Sequence, residues 1–131
     1  MPWQPAAVRY PDAELVVAGL IRSLLASHGE PGMWVGRRLP SGRPGRAVQV
    51  VRDGGSADGL RDRARLRVLT WDATDQKVTD LARLVVAVAP LMAGQQGVVR
   101  VQHLSGPYEI PDAAPCRYLL FQVDLRGVPL P

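Results

Sequence analysis

The chain has 131 residues, which is the usual size of one domain, and its 47% apolar and 21% charged residues are typical of globular domains. The longest apolar run contains Pro90, and the single cysteine is Cys116. These features exclude a membrane-spanning helix, an intramolecular disulfide and a metal site built from cysteines. Asp12 and Glu14 precede the first apolar stretch, so we expect no secretory signal and synthesis in a cytoplasm.

The net charge of +4 is distributed unevenly along the chain. Residues 37–67 contain nine arginines and only three aspartates, so this segment carries +6 and the remainder carries −2. We therefore expect one positive face or edge that could meet an acidic partner, either protein or nucleic acid.

The first predicted element is a helix over residues 12–28, capped by Asp12 and ended by Gly29, because apolar residues recur at three-and-four spacing. Residues 33–38 and 47–52 predict two strands. The Asp53-Gly54-Gly55 sequence after them is a strong signal for a chain reversal.

A longer strand is predicted over residues 60–72, and its charges alternate with apolar residues. A strand places every second side chain on the same face, so four guanidinium groups should share one sheet face. They belong to Arg61, Arg63, Arg65 and Arg67.

A second helix should start at residues 72–74, with Thr74 as its cap, and should end near Pro90 and Gly94. Two further strands are predicted at about 97–105 and 116–126. The proline-containing linker 105–115 between them is expected to be an extended loop.

The predicted order is helix, three strands, helix, two strands, and no internal repeat or low-complexity segment is evident. Two helices are too few to cover both faces of five strands. We therefore predict one α+β domain over residues 1–131, with a mostly antiparallel five-stranded sheet and both helices on one face. The segments 1–11 and 127–131 are expected to be flexible ends.

The sequence contains no recognisable catalytic, cofactor-binding or metal-binding motif, and we expect a protein that is not an enzyme. The residues His28, His103 and Cys116 lack metal-ligand spacing and are interpreted as structural. Asp53 and Asp58 are interpreted as turn residues.

Nucleic-acid binding is the alternative interpretation of the four alternating arginines, with Arg37, Arg38, Arg43 and Arg46 close by. RNA-binding sheets usually interleave aromatic side chains that stack on bases. Here the arginine row has no aromatic residue before Trp71, which disfavours that interpretation.

The chain resembles the small tail terminator (tail completion) proteins of long-tailed phages that infect high-GC actinobacteria. The resemblance covers about residues 12–126. It rests on Asp62-Arg63-Ala64-Arg65-Leu66-Arg67-Val68 with Trp71-Asp72-Ala73-Thr74, on Val35-Gly36-Arg37-Arg38-Leu39-Pro40, on residues 48–55, and on Gly106-Pro107-Tyr108, Pro111-Asp112 and Arg117-Tyr118.

The resemblance implies a non-enzymatic virion protein without a cofactor that forms a ring, typically a hexamer, on the last ring of the tail tube. Its partners would be other copies of itself, the major tail tube protein and the head-completion or connector protein, with no membrane involved. Genomic DNA would pass through the lumen without specific binding. Head–tail stopper and adaptor proteins of the phage neck remain an alternative.

Two groups of residues are predicted to act in such an assembly. Contacts to neighbouring subunits or to the tube are assigned to Arg61, Arg63, Arg65, Arg67, Arg37 and Arg38, through pairing with carboxylates. A loop at the rim or lumen of the ring is assigned to Gly54, Gly55, Ser56 and Asp58.

Overall fold

The computed structural model describes residues 7–131, so the part of the predicted flexible end in residues 1–6 lies outside the described residues. Two α-helices and seven β-strands follow one another in the order β1 (Val8–Arg9), α1 (Ala13–Ser27), β2 (Trp34–Gly36), β3 (Ala47–Ala57), β4 (Arg61–Trp71), α2 (Asp75–Val88), β5 (Val98–Glu109), β6 (Cys116–Arg126) and β7 (Val128–Pro129). A short 3-10 helix, Ala89–Met92, extends α2.

The central sheet has five strands in the order β2-β3-β4-β6-β5. Only β2 and β3 run parallel, and the other three neighbouring pairs are antiparallel. Both helices contribute to the same buried apolar cluster as the sheet. The predicted α+β class, the mostly antiparallel sheet and the element order are therefore confirmed.

Both helices begin at the predicted capping residues. The carboxylate of Asp12 accepts the backbone N–H of Leu15 at 3.1 Å, and the hydroxyl of Thr74 accepts the N–H of Lys77 at 3.1 Å. These bonds satisfy amides that have no partner within the first helical turn. Gly29 follows α1 with a φ of +92°, a left-handed conformation that ends the helix as predicted.

The hydrophobic core lies between the helices and one face of the sheet. Alternate residues of the three long strands β3, β4 and β6 point into it and are buried. They are Val48, Val50, Ala64, Leu66, Val68, Leu119, Phe121, Val123 and Leu125. We call this side of the sheet the helix-covered face and the opposite side the open face.

The predicted chain reversal at Asp53 is wrong, because β3 continues through Gly54 and Gly55 to Ala57. A β-bulge between Arg52 and Gly55 absorbs the two glycines within the strand. Gly55 has a φ of +85°, and a Cβ atom there would lie 2.0 Å from the carbonyl oxygen of Arg63, so only glycine fits. The reversal comes at Asp58-Gly59-Leu60 instead.

Strand lengths differ from prediction elsewhere too. The first strand of the central sheet is shorter than predicted, with three residues in β2. Strand β5 continues to Glu109, so the predicted extended loop 105–115 is reduced to residues 110–115. Pro107 is accommodated because β5 lies at the sheet edge, where a missing backbone N–H is tolerated.

The two chain ends form a small second sheet, in which β1 pairs antiparallel with β7. The backbone N–H of Leu130 also donates to the carbonyl of Ala7 at 2.8 Å. The predicted flexible ends thus include residues 8–9 and 128–129, which the structure places in paired strands.

Candidate functional site: an arginine-lined sheet face

The structure brings the four alternating arginines together as predicted. On β4 the even positions from Asp62 to Val68 are buried beneath the helices, while Arg61, Arg63, Arg65 and Arg67 are exposed or half-buried. All four therefore lie on the open face. Every second residue of a strand repeats at about 6.7 Å along the backbone, so the four arginines form a regular row.

Two further arginines share this face and were missed in the sequence. Arg126 stands opposite Arg61 across the β4–β6 ladder, and Arg100 stands opposite Asp124, which itself faces Arg63. Their positions follow from the strand order and register, which the sequence does not display. We call the six residues Arg61, Arg63, Arg65, Arg67, Arg100 and Arg126 the arginine face.

Only two of these six guanidinium groups are paired with a carboxylate. Arg61 lies 3.4 Å from Asp124, which is 2% exposed, and Arg63 lies 3.1 Å from Asp58. The other four have no carboxylate within ion-pair distance among residues 7–131. The Nε of Arg67 is in addition buried without a hydrogen-bond partner in the described chain. The arginine face therefore carries an unbalanced positive charge.

Arg37 does not join the arginine face. Its guanidinium lies 3.4 Å from Glu14 and 3.9 Å from Asp12, at the start of α1 on the helix-covered side. Arg38 is an exposed residue after β2 with no ion pair in residues 7–131. The assignment of Arg37 to subunit or tube contacts stays a prediction, and within the chain that side chain joins the edge of the sheet to α1.

Arg43 and Arg46 also have local partners instead of belonging to the arginine face. Arg43 lies over the ring of Trp71 and 3.2 Å from Asp112. Arg46 bridges Glu30 at 2.8 Å and Asp72 at 2.9 Å. These ion pairs join loops to the sheet.

One end of the open face is covered, which the sequence did not predict. Trp71 is buried there with Ala47 and Cys116, and Leu39, Ile110 and Ala114 pack against them. Burial raises the pKa of the Cys116 thiol to about 11. The uncovered part of the open face therefore coincides with the arginines.

Trp71 is fixed in this covered end. Its indole N–H donates to the Asp112 carboxylate at 2.7 Å, and this bond, with the Ala113 amide, holds the pKa of Asp112 below its usual value. Trp71 therefore cannot serve as a stacking platform beside the arginines. Among residues 7–131, the open face has an exposed aromatic residue in Tyr108, whose ring centroid lies 6.3 Å from that of Tyr118.

The predicted rim or lumen residues lie at the far end of the β3–β4 hairpin. Gly54, Gly55 and Ser56 are exposed residues of β3, and Asp58 forms the turn. The Asp58 carboxylate accepts the backbone N–H groups of Leu60 and Arg61, both at 3.0 Å, and these bonds lower its pKa. The segment is thus an ordered hairpin end and not the loop that was predicted.

The remaining polar candidates make local contacts. His28 Nδ1 lies 2.8 Å from the carbonyl oxygen of Leu24, and His103 Nε2 lies 3.0 Å from that of Ser105. Within residues 7–131, no three His, Cys, Asp or Glu side chains are grouped as metal ligands. No helix in this range is long and apolar enough to cross a membrane.

Comparisons with known proteins do not identify a family or a function for this chain. No protein-family model matches the chain, and no curated protein is similar to it in sequence. Function is therefore argued from the arginine face and the surrounding surface.

Proposed function

We propose that the protein is a non-enzymatic virion component that forms a ring, hexameric in its expected state, on the end of a phage tail tube. The ring ends tube polymerisation and offers the surface to which the head's connector protein attaches. The protein would be made in the host cytoplasm and would reside at the head–tail junction, with genomic DNA passing through its lumen.

The observation that carries this proposal is the unbalanced charge of the arginine face. Four of its six guanidinium groups have no carboxylate partner among residues 7–131, although the charges elsewhere on the molecule are often paired. Arginine pairs with carboxylates through two parallel hydrogen bonds, so a surface of this kind suits a partner with exposed Asp and Glu. In the proposed assembly that partner is a neighbouring subunit or the end of the tube.

A cap must dock on a tube without repeating the tube's own surface. The two sides of this sheet differ completely, since one is closed by α1 and α2 and the other presents arginines. Once the arginine face is occupied, the helical side offers no equivalent surface for another layer. This asymmetry is what stopping polymerisation requires.

A head–tail stopper or adaptor would use similar surfaces, and the effect of gene deletion separates these roles. The test is electron microscopy of virions from a phage whose copy of this gene has been deleted. Overlong or headless tails support the terminator role. Normal tails beside filled heads that leak DNA support the stopper, and virions of normal appearance contradict both.

The arginine face also supports a second candidate function, sequence-independent binding of nucleic acid. Phosphate groups would neutralise Arg65, Arg67, Arg100 and Arg126, and Tyr108 would lie on the same face, at the end nearest Arg67. A gel-shift titration with duplex and single-stranded DNA tests it. Binding that weakens steeply between about 50 and 200 mM salt supports this candidate, and the absence of a shift at low salt removes it.

A further inference from the structure

The acidic side chains of this chain are mostly engaged within it. Nine of the twelve Asp and Glu residues form ion pairs with arginines, and all twelve lie within residues 7–131. The remaining three are Asp53, Asp80 and Glu109. The arginine face has four guanidinium groups without a carboxylate partner in the same range. A second copy of the chain could satisfy them only with these three side chains, unless it broke ion pairs of its own.

The three remaining carboxylates do not form one surface. Asp80 lies on the exposed side of α2, in the layer that covers the other face of the sheet, and accepts a hydrogen bond from Gln76 at 3.0 Å. Asp53 lies in β3 and Glu109 ends β5, three strand spacings or about 14 Å across the sheet. A second copy therefore has no acidic surface to match the arginine face, and two arginine faces would repel each other.

The four unpaired guanidinium groups follow one another along strand β6. Each belongs to, or stands directly beside, one of the alternate positions 120, 122, 124 and 126 of that strand, and in this order they are Arg67, Arg65, Arg100 and Arg126. Arg65 and Arg67 come from β4 on one side of β6, and Arg100 comes from β5 on the other. Alternate residues of a strand repeat at about 6.7 Å, so a line above β6 is flanked by unpaired guanidinium groups at a regular repeat.

The carboxylate beneath this line does not oppose an acidic partner. Asp124 is 2% exposed, and its oxygens accept a hydrogen bond from Gln122 at 3.0 Å and lie 3.4 Å from the Arg61 guanidinium. Its charge is thus balanced within the chain. The electrostatic potential above β6 is therefore set by the unpaired arginines.

The open face becomes apolar at Arg67. Val51 and Leu120 stand on either side of Arg67 in the sheet, and Leu69 and Tyr108 lie farther toward the covered end. Val51 and Leu69 are half-buried, and Tyr108 is 54% exposed. Arginine and tyrosine beside an apolar area are typical of protein–protein interfaces, whereas RNA-binding sheets interleave aromatic rings with their basic residues. The composition of the open face thus favours a protein partner.

We infer that the arginine face binds an extended strand of a different protein, which lies above β6 and carries Asp or Glu at alternate residues. Carboxylates two strand residues apart match the repeat of the guanidinium groups, and each can accept two parallel hydrogen bonds from one arginine. The acidic residues would lie opposite Arg126 to Arg67, and apolar residues would continue toward Leu69. The inference rests on the proposed function, in which it assigns the arginine face to the end of the tube and not to a neighbouring subunit.

Two cyclised β-hairpin peptides of identical composition and charge serve as probes. In the first, four Glu residues occupy alternate positions of one strand and share a face, and in the second they occupy consecutive positions, two on each face. We expect the first to bind about fivefold more tightly in fluorescence anisotropy at about 50 mM salt, because it brings two more carboxylates to the arginine face and each exposed ion pair is weak. Equal affinities, or no binding of either peptide, would overturn the inference.

Variants of the protein show whether the preference arises at the arginine face. Arg65→Glu with Arg100→Glu should abolish it, and Arg65→Gln with Arg100→Gln, which removes the charges without reversing them, should weaken it. The matched control is Lys77→Glu with Arg83→Glu, which changes the net charge equally at exposed positions of α2 and should keep the preference. Thermal midpoints equal to the parental one show that the variants fold. Loss of the preference in the α2 variant as well would mean that net charge alone governs binding, and the inference would be wrong.

Two other occupants of the arginine face give different results. If copies of this chain bind one another through it, the Arg65→Glu, Arg100→Glu variant should sediment as a smaller species than the parent. If nucleic acid is the partner, the parent should bind a duplex of roughly 20 base pairs at about 150 mM salt and that variant should not. Either result would overturn the inference.

The inference and the proposed function fail separately. If deletion of the gene gives overlong or headless tails but the two hairpins bind equally, the proposed function stands and the inference is wrong. If the alternating hairpin is preferred but deletion leaves tails and heads normal, the arginine face binds an acidic strand in another setting and the proposed function is wrong.

Discussion

The two faces of the central sheet differ in their burial and in the pairing of their charged side chains. On the helix-covered face the central residues of β3, β4 and β6 are apolar and buried, and the ion pair between Arg52 and Asp62 is bidentate, at 2.6 and 2.7 Å. On the open face only two of the six arginines form an ion pair with a carboxylate among residues 7–131. The helix-covered face thus buries its apolar side chains and pairs its charges within the chain, whereas the open face has guanidinium groups without a partner. The fold is held by the first face, and contact is the role we assign to the second.

The largest expected difference between the faces is at two adjacent residues of β4. Leu66→Ala removes a fully buried side chain from the helix-covered face and should lower the free energy of unfolding by about 2–5 kcal/mol. Arg65→Ala, on the open face, should change it by less than about 0.5 kcal/mol. Urea denaturation of the two variants measures both values. Similar losses would show that the open face also holds the fold.

The Arg52–Asp62 pair should show the next largest effect. Asp62→Asn removes a buried carboxylate that accepts two bonds from Arg52, and we expect a loss of about 1–3 kcal/mol in the free energy of unfolding. Asp53→Asn is the matched control, because Asp53 is exposed and its carboxylate has no hydrogen bond in the described chain. Equal stability of the two variants, measured by denaturation, would show that the Arg52–Asp62 pair does not stabilise the fold.

The covered end of the open face should make the stability of the fold depend on pH in the acidic range. The Trp71 N–H, followed by the Ala113 amide, lowers the pKa of Asp112 in the folded state, so the unfolded state binds its proton more readily. This contribution to stability is complete above the unfolded pKa and is lost as the pH falls through the folded pKa, that is, below about pH 4. Asp112→Asn should therefore lose less of its thermal midpoint between pH 6 and pH 3 than the parent does. A drop as large as the parental one would contradict the assignment.

Substitution of Arg67 should have the smallest effect on the free energy of unfolding, and that effect should be of opposite sign. Its Nε is buried without a partner, so Arg67→Met keeps the apolar stem and removes an unsatisfied polar atom. We expect stability to stay unchanged or to rise by up to about 1 kcal/mol in urea denaturation. A loss above that size would mean that Arg67 serves the fold, like the residues of the helix-covered face.

Local signals in the sequence were sufficient for the helices and for the four alternating arginines. Asp12 and Thr74 cap the helices as predicted, because capping depends on residues three positions apart. The position of the hairpin turn could not be decided locally. Two Asp-Gly pairs, at residues 53–54 and 58–59, compete for the turn, and only the strand pairing selects the second.

The missed parts of the candidate site depend on contacts between distant segments. Arg100 and Arg126 join the arginine face through the register of β5 and β6, and Arg37 is drawn away by Glu14. The covered end requires Trp71 to meet Asp112, 41 residues later in the chain. A period-two pattern shows which residues of one strand share a face, but not which strands lie beside it.

The central claim is that the arginine face binds a partner and does not hold the fold. The most direct measurement compares two double charge reversals that change the net charge equally, in complementation of a phage from which the gene is deleted. Arg65→Glu with Arg100→Glu alters the arginine face, and Lys77→Glu with Arg83→Glu alters exposed positions on α2. We predict that both proteins keep the parental thermal midpoint, that the α2 variant restores normal tails, and that the arginine-face variant leaves them overlong or headless. Restoration by both variants alike would contradict the account.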